Sequence, residues 1–458
     1  MTRLLVEPPR PKVVREHRHA PWFAVGSVCV GAFMGQLDAS IVTLAFPALQ
    51  RDFHTSLAAA QWVSLGYLLA LVGLLAGAGR LADALGRKLV YLYGFGVFTV
   101  ASAACGLAPT LGMLVVFRVV QAAGAAMLQA NSVALVVTSV PRSRMRAGLG
   151  MQAAAQALGL ALGPTVGGLL VGSAGWRWVF WVNVPIGCVA LVVGRYLLPR
   201  TRERAAAARF DWPGLLLLAG ASAALLVAIS GASGLGLPLW EAWAAASAAA
   251  MAGFVVRERR AAAPLVDMSL LRTPAVSVGL AGAMCGYLVL FGPLALVPQI
   301  LGARGAGATY AGLVLTALPA GFALAALAAD RVLPEGFGNR RRCLLGGTVA
   351  SLCAVALGSA TPAAMLPLLA LLGAGLGLFI PANNTAIMAA IPTRMSATAG
   401  GMVNMTRGAG TALGIALVTL TLHTATTVQD GARLAFAGLA VVAAVATMTG
   451  ITARRQDA

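Results

Sequence analysis

Asp38 is the only charged residue between Trp22 and Leu49, an uncharged stretch of almost membrane-spanning length. A carboxylate in such surroundings is costly unless it is protonated, paired or open to water. Its chemistry would be proton exchange: H⁺ taken up and given up as the surroundings change. No other acid is expected inside an apolar span. Two cations share this kind of setting, Arg118 and Arg407. A buried guanidinium needs partners, and a carboxylate at matching depth supplies the best one. Other chemistries have no residues to carry them. There is no Walker A loop, no HExxH pair and no nucleophile elbow. The six cysteines, Cys29, Cys105, Cys188, Cys285, Cys343 and Cys353, contain no CxxC pair and read as small apolar residues rather than a disulfide frame or metal site. The expectation is a protein that is not an enzyme, holds no metal and has protons as its one coupling ion.

The elements that would position these residues follow from composition. The chain has 458 residues, 59% hydrophobic and 10% charged, with mean hydropathy +0.85. A soluble domain has about 25% charged residues. This composition marks an integral membrane protein and excludes a nucleic-acid-binding fold despite the net charge of +19. A spanning helix needs about 20 apolar residues. Fourteen candidate stretches appear, near 22–48, 59–79, 89–107, 111–138, 147–171, 178–198, 212–230, 238–256, 275–300, 308–329, 343–360, 364–390, 398–422 and 434–452. The fold class expected is all-α and membrane-embedded. A polar tail (1–21) precedes six spans (22–200), two additional spans (201–262), six more (263–452) and a short tail (453–458). No short apolar core with a cleavage site follows the polar start, so no removable signal peptide is expected.

Loop charge gives the orientation. Placing both termini in the cytoplasm assigns 27 of the 33 basic residues to inner segments and 4, Arg51, Arg177, Arg304 and Arg433, to outer ones. Inner loops rich in Lys and Arg are the rule, and they face anionic lipid headgroups. On this topology Asp38 lies about 5 Å and Arg118 about 9 Å outward of their span midpoints, so the two can meet. Gly79-Arg80-Leu81-Ala82-Asp83-Ala84-Leu85-Gly86-Arg87-Lys88 follows the second span. Asp330-Arg331 and Gly338-Asn339-Arg340-Arg341 follow its counterpart in the later six. This repetition suggests two parallel halves around a central cavity.

These motifs resemble the major facilitator superfamily, and within it the fourteen-helix drug:proton antiporters. Leu37-Asp38-Ala39-Ser40-Ile41-Val42-Thr43-Leu44-Ala45-Phe46-Pro47 is similar to the first-span signature, 79–88 to the loop motif and Arg118-Val119-Val120-Gln121-Ala122-Ala123-Gly124-Ala125-Ala126 to the fourth-span motif. The run from Gly159 through Gly163, Pro164 and Gly167 to Gly168 is similar to the antiporter motif. Trp176-Arg177-Trp178-Val179-Phe180-Trp181-Val182-Asn183-Val184-Pro185-Ile186-Gly187 is similar to a segment of the fourteen-helix group. Ala84 and Ala122 depart from it, standing where a basic residue and a glycine are usual.

The resemblance implies a multidrug or quaternary-ammonium exporter of a bacterial plasma membrane, monomeric and working by alternating access. It implies that Asp38 couples to protons and Arg118 assists it. Gly79, Asp83, Gly86, Arg87 and Lys88 would form a conformational latch to a neighbouring helix end, with Asp330 and Arg331 a weaker copy. Gly159, Gly163 and Gly167 share a helix face, and with Pro164 and Gly168 they would seal the two halves against each other. Polar, aromatic and soft residues on inward faces are candidates for the substrate cavity: Gln36, Trp62, Tyr67, Met127, Asn131, Gln152, Gln156, Tyr287, Phe291, Gln299, Phe379 and Asn404. Arg407 joins them, with Asn383 and Asn384, or the bundle's carbonyls, as its expected partners. His423 is expected to be incidental. With one buried acid, the expected substrates are lipophilic monovalent cations or neutral amphiphiles. The alternatives are an exporter dedicated to one endogenous metabolite, peptide or lipid, and a non-transporting membrane sensor or scaffold.

Overall fold

A computed structural model describes the backbone of all residues except 1–6, 8, 142–143, 202–210, 231–239, 262–267, 335–336, 392–395 and 453–458, and excludes the side chains of Asp83, 145–147, 150, 226, 229–230, 268–269, 330–331, 396–400 and 451–452. The described residues form helices and no strand. Backbone amides in a lipid core must be satisfied within their own segment, and helices do this. The helices are α1 (Lys12–Glu16), α2 (Ala20–Ile41), a 3₁₀ turn (Val42–Ala45), α3 (Phe46–Asp52), α4 (Leu57–Leu85), α5 (Arg87–Gly106), α6 (Leu111–Ser139), α7 (Met145–Ser173), α8 (Trp178–Trp181) and α9 (Asn183–Leu197). They continue with α10 (Trp212–Ser230), α11 (Trp240–Arg260), α12 (Met268–Leu271), α13 (Pro274–Ala303), α14 (Ala308–Val332), α15 (Asn339–Leu357), α16 (Pro362–Ala389), α17 (Ser396–Thr424) and α18 (Val428–Thr452).

Helix occupies each of the fourteen apolar stretches, and eleven of the resulting segments are long and apolar enough to cross a membrane. A twelfth, Trp212–Leu225, is apolar but shorter. α11 falls short because it carries Glu241 and three arginines in its last turn; α15 opens on Asn339-Arg340-Arg341-Arg342. The outer surface carries Val100, Leu216, Leu324, Leu352 and Met448, each 65% or more exposed. In water such a surface would aggregate; in lipid it is the solvated face.

Helices α2 and α4–α9 pack as one bundle and α13–α18 as another, with α10 and α11 paired to each other and α10 laid on α4. The bundles meet along α7 against α14 and α4 against α17. Arg80, Arg87, Arg200, Arg257 and Arg340 lie at helix termini of one end; Arg51, Arg177, Arg304 and Arg433 lie at those of the other, the far end.

Three sequence expectations change. Residues 79–85 are not loop: α4 continues to Leu85, and the chain turns on Gly86 alone, at φ 111°, before α5 begins at Arg87. Only glycine adopts that angle without strain. Asp38 is not the only acid in a stretch read as a span, because 238–256 contains Glu241, in the first turn of α11. Glu241 is at a helix end, so Asp38 remains the mid-span acid. The first span is also not one continuous α-helix. It breaks into the 3₁₀ turn at Val42–Ala45 just before Pro47, which cannot donate to an uninterrupted helix.

Candidate functional site

Asp38 sits on α2 three residues before that helix ends, with none of its surface exposed. Three N–H groups converge on its carboxylate. Arg118 Nη1 on α6 donates to Oδ2 at 2.7 Å. Gln121 Nε2, one turn further along α6, donates to Oδ1 at 3.1 Å, and Asn183 Nδ2 at the start of α9 donates to the same oxygen at 2.9 Å. The Arg118 guanidinium, 1% exposed, is held by several further groups. Its Nε donates to the Val63 carbonyl of α4 at 3.0 Å and its Nη1 to Gln121 Oε1 at 2.6 Å. The Tyr67 ring lies 4.0 Å from its central carbon and the Phe180 ring 5.7 Å. Gln121 in turn donates to Ser102 Oγ on α5 at 2.5 Å. Five helices of one bundle thus share a single sealed polar knot. A buried ion pair is stabilising only when its leftover hydrogen-bonding capacity is satisfied; here Asp38 accepts three such bonds and Arg118 donates three.

The Trp176–Gly187 segment explains itself here. Trp176 Nε1 and Arg177 Nη1 bind Asp52 at 2.8 and 3.1 Å, holding the far end of α3. Asn183 then binds Asp38. One segment therefore ties the first span at its tip and near its middle. Neither Gln121 nor Asn183 was expected as a ligand of Asp38. The signal for Gln121 was its i+3 spacing from Arg118, which puts both on one helix face; nothing in the sequence singled out Asn183.

The glycines of α7 divide their work differently from the expectation. A Cβ on Gly159, Gly163 or Gly167 would strike Phe33, Ser40 or Ile41 of α2, so this face packs inside its own bundle. The approach between bundles is made by Gly168, where a Cβ would lie 2.7 Å from the Ala308 carbonyl and 3.0 Å from Gly312 Cα of α14. A Cβ on Gly312 would strike the Pro164 carbonyl. One residue rotates a helix by 100°, which separates Gly168 from the Gly167 face. Thr165 and Thr316 join their hydroxyls across this seam, and Thr309 Oγ1 donates to the Gly168 carbonyl at 3.2 Å. The bundles are therefore closed at the far end.

At the arginine-rich end, the loop motif meets an unexpected partner, Glu7 of the amino-terminal tail, which is 3% exposed. Its carboxylate accepts from the Thr201 amide at 2.8 Å and hydroxyl at 2.7 Å, and a Cβ on Gly86 would run into it. Arg200 Nε donates to the Glu7 carbonyl oxygen at 3.0 Å. The Arg87 amide donates to Thr201 Oγ1 at 2.9 Å, and Lys88 Nζ, fully buried, to the Leu198 carbonyl at 2.7 Å. Gly79 lies in α4, where a Cβ would touch Ala130 of α6. These bonds stay within one bundle. The side chains of Asp83, Asp330 and Arg331 lie outside the described residues. Arg10, close by, donates to the Ala20 carbonyl at 2.6 Å, and burial lowers its affinity for its proton.

Between the bundles, Arg407 is half-buried and donates to Gln156 Oε1 at 3.5 Å, with the Tyr287 ring 5.2 Å away. The asparagines expected to hold it do not: Asn383 donates to the Gly279 carbonyl at 2.8 Å, and Asn384 Oδ1 has no partner among the described residues. Gln36 and Gln156 line a narrow cleft with Gly35, Tyr91, Gln129 and Ser132. Gln152 donates to Ser132 Oγ at 2.9 Å, and Asn131 to the Met127 carbonyl at 2.7 Å. Trp62, Met127, Gln299 and Asn404 are partly buried. Phe379 is core rather than cavity: it is wholly buried and packs where Gly286 leaves room. Phe291 is likewise a core residue, and Tyr67 belongs to the Asp38 knot.

The Major Facilitator Superfamily model matches residues 28–415 and 279–456 of the chain. The chain is 33% identical to the tetracenomycin C resistance and export protein of Streptomyces glaucescens, over 88% of this chain and 76% of that one. It is 34% identical to the methylenomycin A resistance protein of Streptomyces coelicolor, over 90% of this chain and 88% of that one. Among solved structures, the human organic anion transporter TETRAN shares the fold at TM-score 0.65 and 15% identity, covering 94% of this chain and 99% of that one. Two helical bundles with a sealed charge pair, closed on each other along α7 and α14, are thus those of a multi-pass membrane transporter and not of an enzyme, and the chain belongs to the Major Facilitator Superfamily.

Proposed function

We propose that the protein is a proton-coupled antiporter of the fourteen-helix group, exporting lipophilic small molecules across a bacterial plasma membrane by alternating access, with both termini cytoplasmic. The observation that carries this reading is the state of Asp38. Its oxygens accept three N–H bonds, an arrangement suited to the carboxylate. A protonated carboxyl would present an O–H among those donors and lose most of its attraction to Arg118. The sealed knot therefore suits only the deprotonated acid, and protonation favours a different arrangement of α2, α6 and α9. A bistable element biased by one proton is the requirement for coupling. The carrier would lose its proton inward as substrate is taken up, and regain one from outside for the return.

Of the two expected substrate classes, neutral amphiphiles come first. Asp38 is spent on its own bundle, and the charge at the bundle interface is positive, on Arg407. A lipophilic cation would need Asp38 to open toward it. The names of these two Streptomyces relatives favour a second reading within the same fold, an exporter dedicated to one compound, since each names a single antibiotic. Reconstituted protein in vesicles separates the possibilities. With a pH gradient and a membrane potential imposed one at a time, proton antiport of a neutral compound responds to both. One-for-one exchange with a monovalent cation responds to the pH gradient alone. Efflux indifferent to both gradients would end the antiport reading. The topology has its own test: a cysteine in segment 231–238 is expected to react with an impermeant reagent in intact cells.

A further inference from the structure

Beside the Asp38 knot lies a row of buried polar atoms that the knot does not use. Both amide atoms of Gln61, the Ser64 hydroxyl and the Tyr67 hydroxyl have no partner among the described residues, and neither has Oδ1 of Asn183. None of the four residues is more than 4% exposed. Gln61, Ser64 and Tyr67 recur at every third position of α4, so they are successive neighbours along one side of it. At 1.5 Å per residue they lie about 6, 10 and 15 Å from the helix's far-end residue, Leu57. The row starts near the end where the bundles are closed. It finishes at Tyr67, whose ring touches Arg118, while Asn183 is already bonded to Asp38.

Buried amides and hydroxyls without partners are expensive. Met, Ala and Phe would fill the same space without that cost. A dry, purely structural α4 has no use for three such groups in line. A helix side that becomes wet when the far end parts does. We propose that Gln61, Ser64 and Tyr67 line a hydrated track that delivers protons from the far side to Asp38, with Asn183 as the amide that responds to the proton's arrival. This inference rests on the proton-coupled reading above.

The steps balance. Gln61 orders water by donating and accepting. The hydroxyls of Ser64 and Tyr67 each accept one proton and release another, as water does. The incoming proton forms an O–H bond on Asp38 Oδ1, and the carboxylate loses its charge. Asn183 now offers Nδ2 to that oxygen; a half-turn of its amide offers the unused Oδ1 to the new O–H instead. The titratable and charged groups facing the pair are Arg118 from α6, Tyr67 from α4 and Cys105 from α5, with Arg407 of α17 acting on Tyr67.

The test uses the full chain in liposomes and a sudden acidification of the far side, with no substrate needed. The infrared carbonyl band of protonated Asp38 is followed in time, identified by its loss in Asp38→Asn. In Gln61→Met with Ser64→Ala, the band is expected to reach its full height at least about tenfold more slowly, with thermal stability unchanged or raised. Ser64→Thr, which keeps the hydroxyl, should restore the speed. Tyr67→Phe alone should slow it and serves if the double variant fails to fold. An unchanged rate in these variants, or equal slowing in Ser64→Thr, overturns the track while leaving proton coupling standing. A wild type with no Asp38-dependent band overturns the proton-coupled reading itself.

Discussion

The two six-helix bundles share a fold but treat their polar residues in opposite ways. In the first, an acid, a guanidinium, two amides and a serine are gathered into one solvent-free knot. In the second, the mid-helix cation Arg407 stays half-buried and reaches across to Gln156 of the first. Asn383, its expected partner, instead braces Gly279. A knot of interlocked bonds inside one rigid unit has discrete states, because losing one bond leaves several groups uncompensated. A half-exposed arginine with a single amide partner can adjust continuously. The comparison assigns switching to the first bundle and ligand accommodation to the interface with the second.

The sharpest way to break this division is Asp38→Asn. Asparagine keeps the size and cannot titrate, so efflux driven by an imposed pH gradient should fall by about 100-fold or more, with the protein still present in the membrane. Normal uphill efflux would move the switch elsewhere. Next in size is Arg118→Ala, which strands a buried carboxylate. Loss of one partner of such a pair costs about 3–5 kcal/mol, which thermal unfolding in detergent should register. Arg118→Lys should recover part of it, since a point charge replaces Coulomb attraction but not the fork that also reaches Val63 and Gln121. Equal damage from both would mean that geometry, not charge, holds the knot.

Smaller effects test the interface. Gly312→Leu puts a side chain where the Pro164 carbonyl already sits. Overpacking of this kind costs about 1–3 kcal/mol, enough to shift the population away from far-end closure. A cysteine at Thr309 should then label faster from the far side. The smallest expected change is Arg407→Ala, which removes a ring contact and one amide bond worth about 1 kcal/mol. It should alter the relative handling of cationic and anionic test compounds by a few-fold and leave proton coupling intact. Complete loss of transport would place Arg407 inside the switch and erase the contrast between the bundles.

Much of this was legible in the sequence for physical reasons. Apolar length and loop arginines mark helices and their order, and a lone acid at the depth of a lone arginine points to their contact. What stayed hidden depends on angles that residue types do not encode. Gly167 and Gly168 are adjacent in sequence, yet one faces α2 and the other α14. Asn183 acts because it opens α9 beside Asp38, a placement that no residue type announces. Phe379 looked like a ligand-facing aromatic and is buried core, since an aromatic on a helix carries the same sequence signal either way. Residues 79–88 read as a loop because charges and glycines interrupt the apolar run, but α4 simply outlasts its apolar part.

Glu7 carries a consequence for how the molecule is assembled. It is synthesised 194 positions ahead of Thr201, which its carboxylate grips. The tail therefore has no seat until the sixth apolar segment has been synthesised and inserted. Its closure dates the completion of the first bundle, before α10 exists. A chain built in this order finishes its switching half as a separate unit. A bulky fusion placed directly against Glu7 would interfere at that moment of synthesis rather than with the finished transporter.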